Sequence, residues 1–271
     1  MSLLIAATPR SGGWLLAEGL RSLGIAGHPE EYFAPDAEQA YRAQWGMPTT
    51  GPFGPLLQRA LERGRTPNGV FAAKVHWSQL GMLLERLRTV PAGEGNGRRS
   101  MTDRELLTRH LGPVRIVYLD RRNTLRQAIS WHRAITTNRW WVVAGDEPRR
   151  PRDVTGYDFE AIKTLWWLLH DDKTSWRAWF QANHVRPLSL CYERLAADYP
   201  GTLRAVVSWL GLDPPGHIPP PRLVRQADQL SDQWMRQYLR SWRSVFGSQP
   251  PRLAIFQNEH SPGHLPAVQT P

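Results

Sequence analysis

The chain has 271 residues, of which 41% are hydrophobic, and it carries 34 Lys and Arg against 24 Asp and Glu, a formal net charge of +10. The single cysteine, Cys191, excludes an intrachain disulfide framework and any metal site built from several cysteines of one chain, and it is typical of a reducing compartment. The N-terminal apolar run of about six residues is too short for a signal peptide or a membrane span, so we expect a cytoplasmic protein.

The positive charge implies an acidic partner, which leaves open a nucleic acid, a membrane surface or a multiply charged small ligand. The basic residues are scattered, and the densest clusters, at 98–99 and 149–152, lie in stretches rich in Gly, Pro or both. A basic cleft is therefore favoured over a dedicated nucleic-acid surface, and we expect neither nucleic acid nor membrane as a partner. Two tryptophan pairs, 140–141 and 166–167, could stack on sugars, although tryptophans at helical spacing more often pack in a core.

Apolar runs alternate with helical patterns along the chain, which is typical of a parallel sheet flanked by helices. The predicted strands cover 3–7, 69–73, 114–119 and 187–191. The predicted helices cover 14–23, 37–43, 55–63, 78–88, 103–110, 124–134, 159–183, 195–210 and 229–245. We predict an α/β fold with one domain over residues 1–257 and a poorly ordered C-terminal tail over 258–271.

The first predicted strand ends in the turn TPRSGG, which opens a helix. Backbone N–H groups at such a turn, together with the helix dipole, favour a bound anion, and Arg10 supplies a cation beside them. The GxxxxGK[ST] spacing of a Walker A loop is missing, which disfavours an ordinary nucleoside triphosphate site. The alternative is a plain strand-to-helix turn in which Gly12 and Gly13 only relieve backbone strain.

A second candidate anion site follows the third predicted strand. Arg121 and Arg122 come directly after its end, and the next helix carries Ser130. In an open α/β sheet ligands bind outside the carboxyl ends of the strands, where both segments would lie. Two anion sites on one sheet edge suit a ligand with two separated phosphates. Taken singly, the arginines are more often solvated, and the serine more often bonds to its own backbone.

Together the two segments resemble those of sulfotransferases that use 3′-phosphoadenosine 5′-phosphosulfate (PAPS). Residues 9–12 are similar to the loop that holds the 5′-phosphosulfate, and 122–130 resembles the 3′-phosphate motif, in which a Ser follows an Arg by eight positions. LCYERL at 190–195 and VVSWLGLD at 206–213 resemble a third passage of the family. The greatest likeness is to the trehalose 2-sulfotransferase group, with further matches at 27–33, 66–77, 126–134, 175–180 and 225–234.

This resemblance implies a P-loop-like sulfotransferase fold and a metal-independent transfer of a sulfuryl group from PAPS to a small hydroxylated acceptor, with association into a homodimer left open. The residues it implies for the 5′-phosphosulfate are Arg10, Ser11, Gly12, Gly13 and Trp14. Those it implies for the 3′-phosphate are Arg121, Arg122 and Ser130, and Arg225 would close over the nucleotide. Glu31 corresponds to the general base, while Arg10 stabilises the leaving phosphate. The acceptor site would comprise His28, Glu31, Tyr32, Phe33, Lys74 and His76.

Two departures from the family pattern concern the site. Gly13 and Trp14 stand where the family usually has two hydroxyl residues, so side-chain donors to the 5′-phosphate are missing. His28 replaces an acidic sugar contact, which leaves trehalose as one candidate within a broader class of sugar-bearing or other hydroxylated metabolites. The alternatives are a protein that binds PAP (the desulfated nucleotide) or PAPS with little or no catalysis, and a basic nucleic-acid-binding protein.

Overall fold

Four parallel strands form the sheet of the computed structural model, which describes residues 1–91, 101–143, 145, 156–223 and 228–248. The strands are β1 Ser2–Ala7, β2 Phe71–His76, β3 Val114–Asp120 and β4 Leu188–Cys191, in the order β2-β1-β3-β4. Ala7 at the end of β1 is in register with His76 on one side and Leu119 on the other. The four carboxyl ends therefore meet at one edge, and the predicted α/β class is confirmed.

Ten helices surround the sheet in the described part of the chain. They are α1 Gly13–Ser22, α2 Pro35–Gln44, α3 Phe53–Arg63, α4 Trp77–Thr89, α5 Asp103–Leu111, α6 Thr124–Thr137, α7 Phe159–Ala182, α8 Tyr192–Ala197, α9 Tyr199–Trp209 and α10 Gln229–Phe246. The helix predicted over 195–210 was wrong as one element. It is divided at Asp198, whose side chain caps α9 by accepting a hydrogen bond from the Gly201 N–H at 2.9 Å.

The second strand also begins later than the predicted residue 69. Gly69 has a φ of +81°, and its N–H donates to the Thr66 carbonyl in a turn, so the extended backbone starts only at Phe71. The strand also ends at His76 and not at the predicted residue 73, which makes His76 the last residue of β2 instead of a residue beyond the strand.

Alternate side chains of β1 enter two cores on opposite faces of the sheet. Leu4 and Ala6 pack with the apolar faces of α3, α4, α5 and part of α7, while Leu3 and Ile5 pack with α1 and α9. A third cluster joins α6, α7 and α10 and contains Trp166, which is buried in it. Strands buried on both faces read as continuous apolar runs, which is why β1 is recognisable in the sequence.

No helix in the described ranges is long and apolar enough to cross a membrane. The basic clusters at 98–99 and 149–152, Arg225 and the tail at 258–271 lie outside the described residues. The domain boundary at residue 257 stays a prediction.

Candidate active site

A cavity of about 1010 Å³ opens at the carboxyl edge of the sheet. Its walls come from the turn after β1, the end of β2, the segment before α2, the helix α6 with the residues after it, and α8. Among the predicted site residues it is lined by Arg10, Gly12, Gly13, Trp14, Glu31, Lys74, His76, Arg121 and Ser130. Both candidate anion segments thus face one space.

The turn after β1 has the backbone shape of an anion cradle. Arg10 and Gly12 have φ angles of +62° and +90°, and α1 starts at Gly13 without a side-chain cap at its N-terminus. The first N–H groups of a helix have no carbonyl partner within the helix and can donate to an anion. The hydroxyl of Ser11 is buried, and no hydrogen-bond partner for it exists among the described residues. A phosphate or sulfate group fits this set of donors.

Two features require a glycine at position 12: the positive φ of its backbone and a neighbouring side chain that leaves no room for a Cβ. A Cβ added there would lie 2.5 Å from Cδ2 of Tyr192 in α8. We expect Gly12→Ala to lower thermal stability and to weaken PAP about 10-fold or more, because the turn must shift to relieve the overlap. Differential scanning fluorimetry and calorimetric titration with PAP measure the two effects.

Gly24→Ala is the matched control for this substitution. Gly24 also has a positive φ, +68°, but nothing lies within 4 Å of an added Cβ. Gly24→Ala should therefore lower thermal stability through the strained backbone angle alone and leave PAP affinity unchanged. Equal PAP affinities for the two variants would contradict the role of the turn.

Two guanidinium groups and a hydroxyl lie together next to this turn. Nε of Arg10 donates to Oγ of Ser130 at 3.1 Å, and Nη1 of Arg121 donates to the Arg10 carbonyl at 3.2 Å. The Arg121 guanidinium is also stacked on the Tyr192 ring, 4.6 Å from its centroid. Burial and the nearby Arg121 charge lower the pKa of Arg10 to about 10, so it stays protonated at neutral pH in a strongly positive site.

Glu31 is held in the cavity by the end of β2, whose Lys74 also lies close to Gly13 and Trp14 of the turn. The N–H of Lys74 donates to the Glu30 carbonyl at 2.8 Å, which aligns this segment along the strand. Nζ of Lys74 donates to Oε1 of Glu31 and lies 2.7 Å from Nε2 of His76. The Gln79 amide donates to Oε2 of Glu31 at 2.9 Å. Both carboxylate oxygens thus have donors, which fixes the orientation of the group.

The electrostatics of this cluster keep Glu31 ionised. Burial alone would raise its pKa, but hydrogen bonding to His76 and Lys74 and the Lys74 charge hold the pKa well below its usual range. Burial lowers the pKa of His76, as does the charge of Lys74, which favours a neutral imidazole at pH 7. Burial lowers the pKa of Lys74, and the Glu31 charge opposes that shift. At neutral pH the cluster presents a carboxylate to the cavity.

Comparison with known proteins identifies the family of this chain. The Stf0 sulphotransferase family model matches residues 2–241. The chain belongs to the Stf0 sulphotransferase family. The predicted resemblance to sulfotransferases is therefore confirmed.

Two curated relatives are trehalose 2-sulfotransferases. That of Mycobacterium tuberculosis is 32% identical over 256 residues, covering 87% of this chain and 93% of the relative. That of Mycolicibacterium smegmatis is 32% identical over 259 residues, covering 88% and 94%. A crystal structure of retinol dehydratase in complex with androsterone and the inactive cofactor PAP aligns at 14% identity with a TM-score of 0.33, over 88% of this chain and 63% of that one, a likeness too distant to carry an argument.

Not every site residue expected for an Stf0 sulphotransferase is brought to the cavity. Arg122 is exposed, and its backbone N–H donates to Glu193 at 3.2 Å. His28 is half-buried and bonds through its N–H to the Gly64 carbonyl. Tyr32 and Phe33 pack in the core next to Phe71, with 4% of each exposed. These four side chains do not line the cavity, and neither does Ser11, which is fully buried in the turn. The aromatic pair turns into the core, and Arg122 turns toward solvent.

Three residues that sequence reasoning missed support the Stf0 site. Gln127 is fully buried and donates to Oγ1 of Thr8 at 2.8 Å and to the Pro9 carbonyl at 2.6 Å, which clamps the turn after β1. Gln79 orients Glu31, and Tyr192 contacts both Gly12 and Arg121. The available signal was position: each follows a strand end by a few residues. Within the described ranges, no group of three or more metal-binding side chains could hold an ion.

Proposed function

We propose that this chain transfers a sulfuryl group from PAPS to a hydroxyl of a small hydroxylated acceptor. The observation that carries the proposal is that the cavity joins an anion cradle, with Arg10 and Arg121, to the ionised carboxylate of Glu31. A nucleotide with two phosphate groups and an acceptor hydroxyl need these two chemistries side by side. Membership of the Stf0 sulphotransferase family supports the same reaction.

Each side chain then has a defined role. The first-turn N–H groups of α1, Ser11 and Arg10 hold the 5′-phosphosulfate, and Arg121 with Ser130 holds the 3′-phosphate. Glu31 accepts the proton of the acceptor hydroxyl as its oxygen bonds to sulfur. The bond from sulfur to the 5′-phosphate oxygen breaks, and Arg10 stabilises the negative charge that remains on that phosphate.

The relatives suggest the class of acceptor, and the residues of the turn after β1 suggest a low turnover rate. Both curated relatives are named for trehalose, so a sugar-bearing acceptor is the first to test. Gly13 and Trp14 leave the turn without the two hydroxyl donors, and a lost preorganised donor costs about 10²–10³ in rate. Slow turnover is therefore part of the proposal, and a PAP-binding protein without catalysis is its alternative.

Two measurements separate these functions. Titration with PAP should raise the melting temperature, because a ligand that binds only the folded state stabilises it by mass action. Incubation with PAPS and a metabolite extract, followed by mass spectrometry, should reveal an acceptor that has gained one sulfuryl group. PAP binding without any transfer would support the non-catalytic alternative, and the absence of PAP binding would refute both.

A further inference from the structure

An aromatic wall, which we define as Trp14, Tyr41 and Trp141, lies beside Glu31 in the cavity. The Trp14 ring centroid is 5.0 Å from Nζ of Lys74, the group that donates to Glu31. The Trp141 ring is 5.8 Å from that of Trp14. The two indole planes are inclined by 54°, so an aromatic ring stacked on one of them would meet the other at its edge, next to the Lys74–Glu31 pair.

The segment that carries Trp141 is tied to the turn after β1. Nη1 of Arg10 donates to the backbone carbonyl of Trp140, and Val143 forms a bridge with Leu223. Trp141 itself is 56% exposed although it touches Trp14. Trp140, next to it, is 39% exposed and also lines the cavity, and such a cluster of exposed aromatic rings on an anchored segment is typical of a surface that binds a ligand.

We propose that the aromatic wall binds the ring of a phenolic acceptor and presents its hydroxyl to Glu31. This inference rests on the proposed function and names the acceptor class for it. Trp14, one ring of the wall, stands where the resemblance implies a hydroxyl residue in the family.

The lining near Glu31 favours an aromatic ring over a sugar. Besides the three rings, this side carries the methyl groups of Ala34 and Ala37. Four charged or polar side chains line it as well: Glu30, Asp36, Lys74 and His76. Glu30 is paired with Arg21, Lys74 and His76 contact Glu31, and Asp36 is exposed to solvent. A sugar would bury several hydroxyls against apolar groups, and each unpaired one is costly, whereas a phenol brings one hydroxyl and a flat apolar ring.

The acidity of the acceptor points the same way. A phenolic hydroxyl has a pKa near 10, several units below that of water at about 15.7. Glu31 is a weak base because its own pKa is held low, and a weak base works best with an acceptor hydroxyl as acidic as that of a phenol. In the transfer, the phenolic oxygen bonds to sulfur, its proton passes to Glu31, and the bond from sulfur to the 5′-phosphate oxygen of PAPS breaks to leave PAP.

The test compares 2-naphthol with trehalose as probes, titrated with and without saturating PAP. We expect 2-naphthol to bind, Trp141→Ala to weaken it about 10-fold, and PAP affinity to change by less than about 3-fold. Trp14→Phe should keep most of the affinity and Trp14→Leu should lose it. Sulfation from PAPS, followed by mass spectrometry, should favour 2-naphthol over trehalose.

Trp167→Ala is the matched control. Trp167 is 42% exposed on α7 and does not line the cavity, so its removal should leave 2-naphthol binding unchanged. A preference for trehalose, or equal 2-naphthol affinities for wild type and Trp141→Ala, would overturn the inference while leaving sulfuryl transfer intact. If Trp14→Leu fails to fold, Trp141→Ala alone decides. If PAP does not bind, the proposed function fails, and the titration without PAP still tests the wall.

Discussion

Replacing Glu31 with Gln should lower turnover by about 10²–10⁴ and leave PAP affinity close to its starting value. The amide keeps the size of the side chain and can still accept a hydrogen bond from Lys74, but it cannot take a proton. Rates with saturating PAPS and acceptor measure the first effect, and calorimetric titration with PAP the second. The measurements separate catalysis from nucleotide binding because the contacts of Glu31 are with Lys74, His76 and Gln79 and not with Arg121 or Ser130.

Glu62→Gln is the control for the loss of a carboxylate. Glu62 is exposed on α3, where it pairs with Arg59, and its loss should change neither rate nor PAP affinity. An unchanged rate for Glu31→Gln would remove Glu31 from the base role and direct attention to His76, which lies 3.4 Å from its carboxylate.

The pH dependence follows from the low pKa of Glu31. The pKa of Glu31 lies well below its usual range, so the carboxylate stays ionised between about pH 5 and 7. Its titration should therefore not produce an acidic limb in the kcat/KM profile over that interval. A folded-state pKa below the unfolded value of about 4.3 stabilises the protein above that pH, and the stabilisation is lost as the pH falls toward the folded-state value. The stability difference between wild type and Glu31→Gln should therefore shrink from pH 6 to pH 3 in chemical denaturation. A constant difference would contradict the ion pair with Lys74.

Replacing Arg121 with Ala should weaken PAP by about 10–100-fold, the effect of losing a charge-assisted contact to a phosphate. Adenosine 5′-phosphosulfate, which lacks the 3′-phosphate, should lose much less affinity. Arg121 is 8% exposed, and it also bonds to the Arg10 carbonyl, so a small loss for both nucleotides is expected from movement of the turn.

Arg122→Ala provides the comparison next to it in the chain. Arg122 is exposed and lies outside the cavity lining, so its removal should reduce PAP affinity by less than about 3-fold. Equal losses of PAP and adenosine 5′-phosphosulfate in Arg121→Ala would remove Arg121 from the 3′-phosphate site. A larger loss in Arg122→Ala than in Arg121→Ala would reverse the assignment of the two arginines.

The sequence predicts the parts of this site that depend on local pattern. A continuous apolar run followed by TPRSGG identifies β1 and its turn, because a strand buried on both faces and a positive φ at Gly12 leave direct traces in residue type. The two anion segments are likewise recognisable from strand ends.

Side-chain direction is what the sequence does not contain. Arg121 and Arg122 are equivalent in the pattern, and only the fold distinguishes them: Arg121 is buried, packs on Tyr192 and bonds to the Arg10 carbonyl, while Arg122 is exposed. Tyr32 and Phe33 follow Glu31 directly, yet they turn into the core while Glu31 faces Lys74, because two adjacent aromatic rings gain more by burial than a carboxylate does. The hydrogen bond from Gln79 to Glu31 joins residues 48 positions apart, so no local sequence pattern indicates it.

The register of β1 with β2 and β3 has a consequence for how the chain acquires its site. Ile5 pairs with Lys74 and with Val117, so the central strand is completed only by segments about seventy and more than a hundred residues further along. Such distant pairings form late, because closing long loops costs entropy before any contact is gained. A folding intermediate that contains only neighbouring helices has neither the cradle nor the carboxylate in place. Recovery of PAP binding after dilution from denaturant would therefore report the final assembly of the sheet rather than the collapse of the chain.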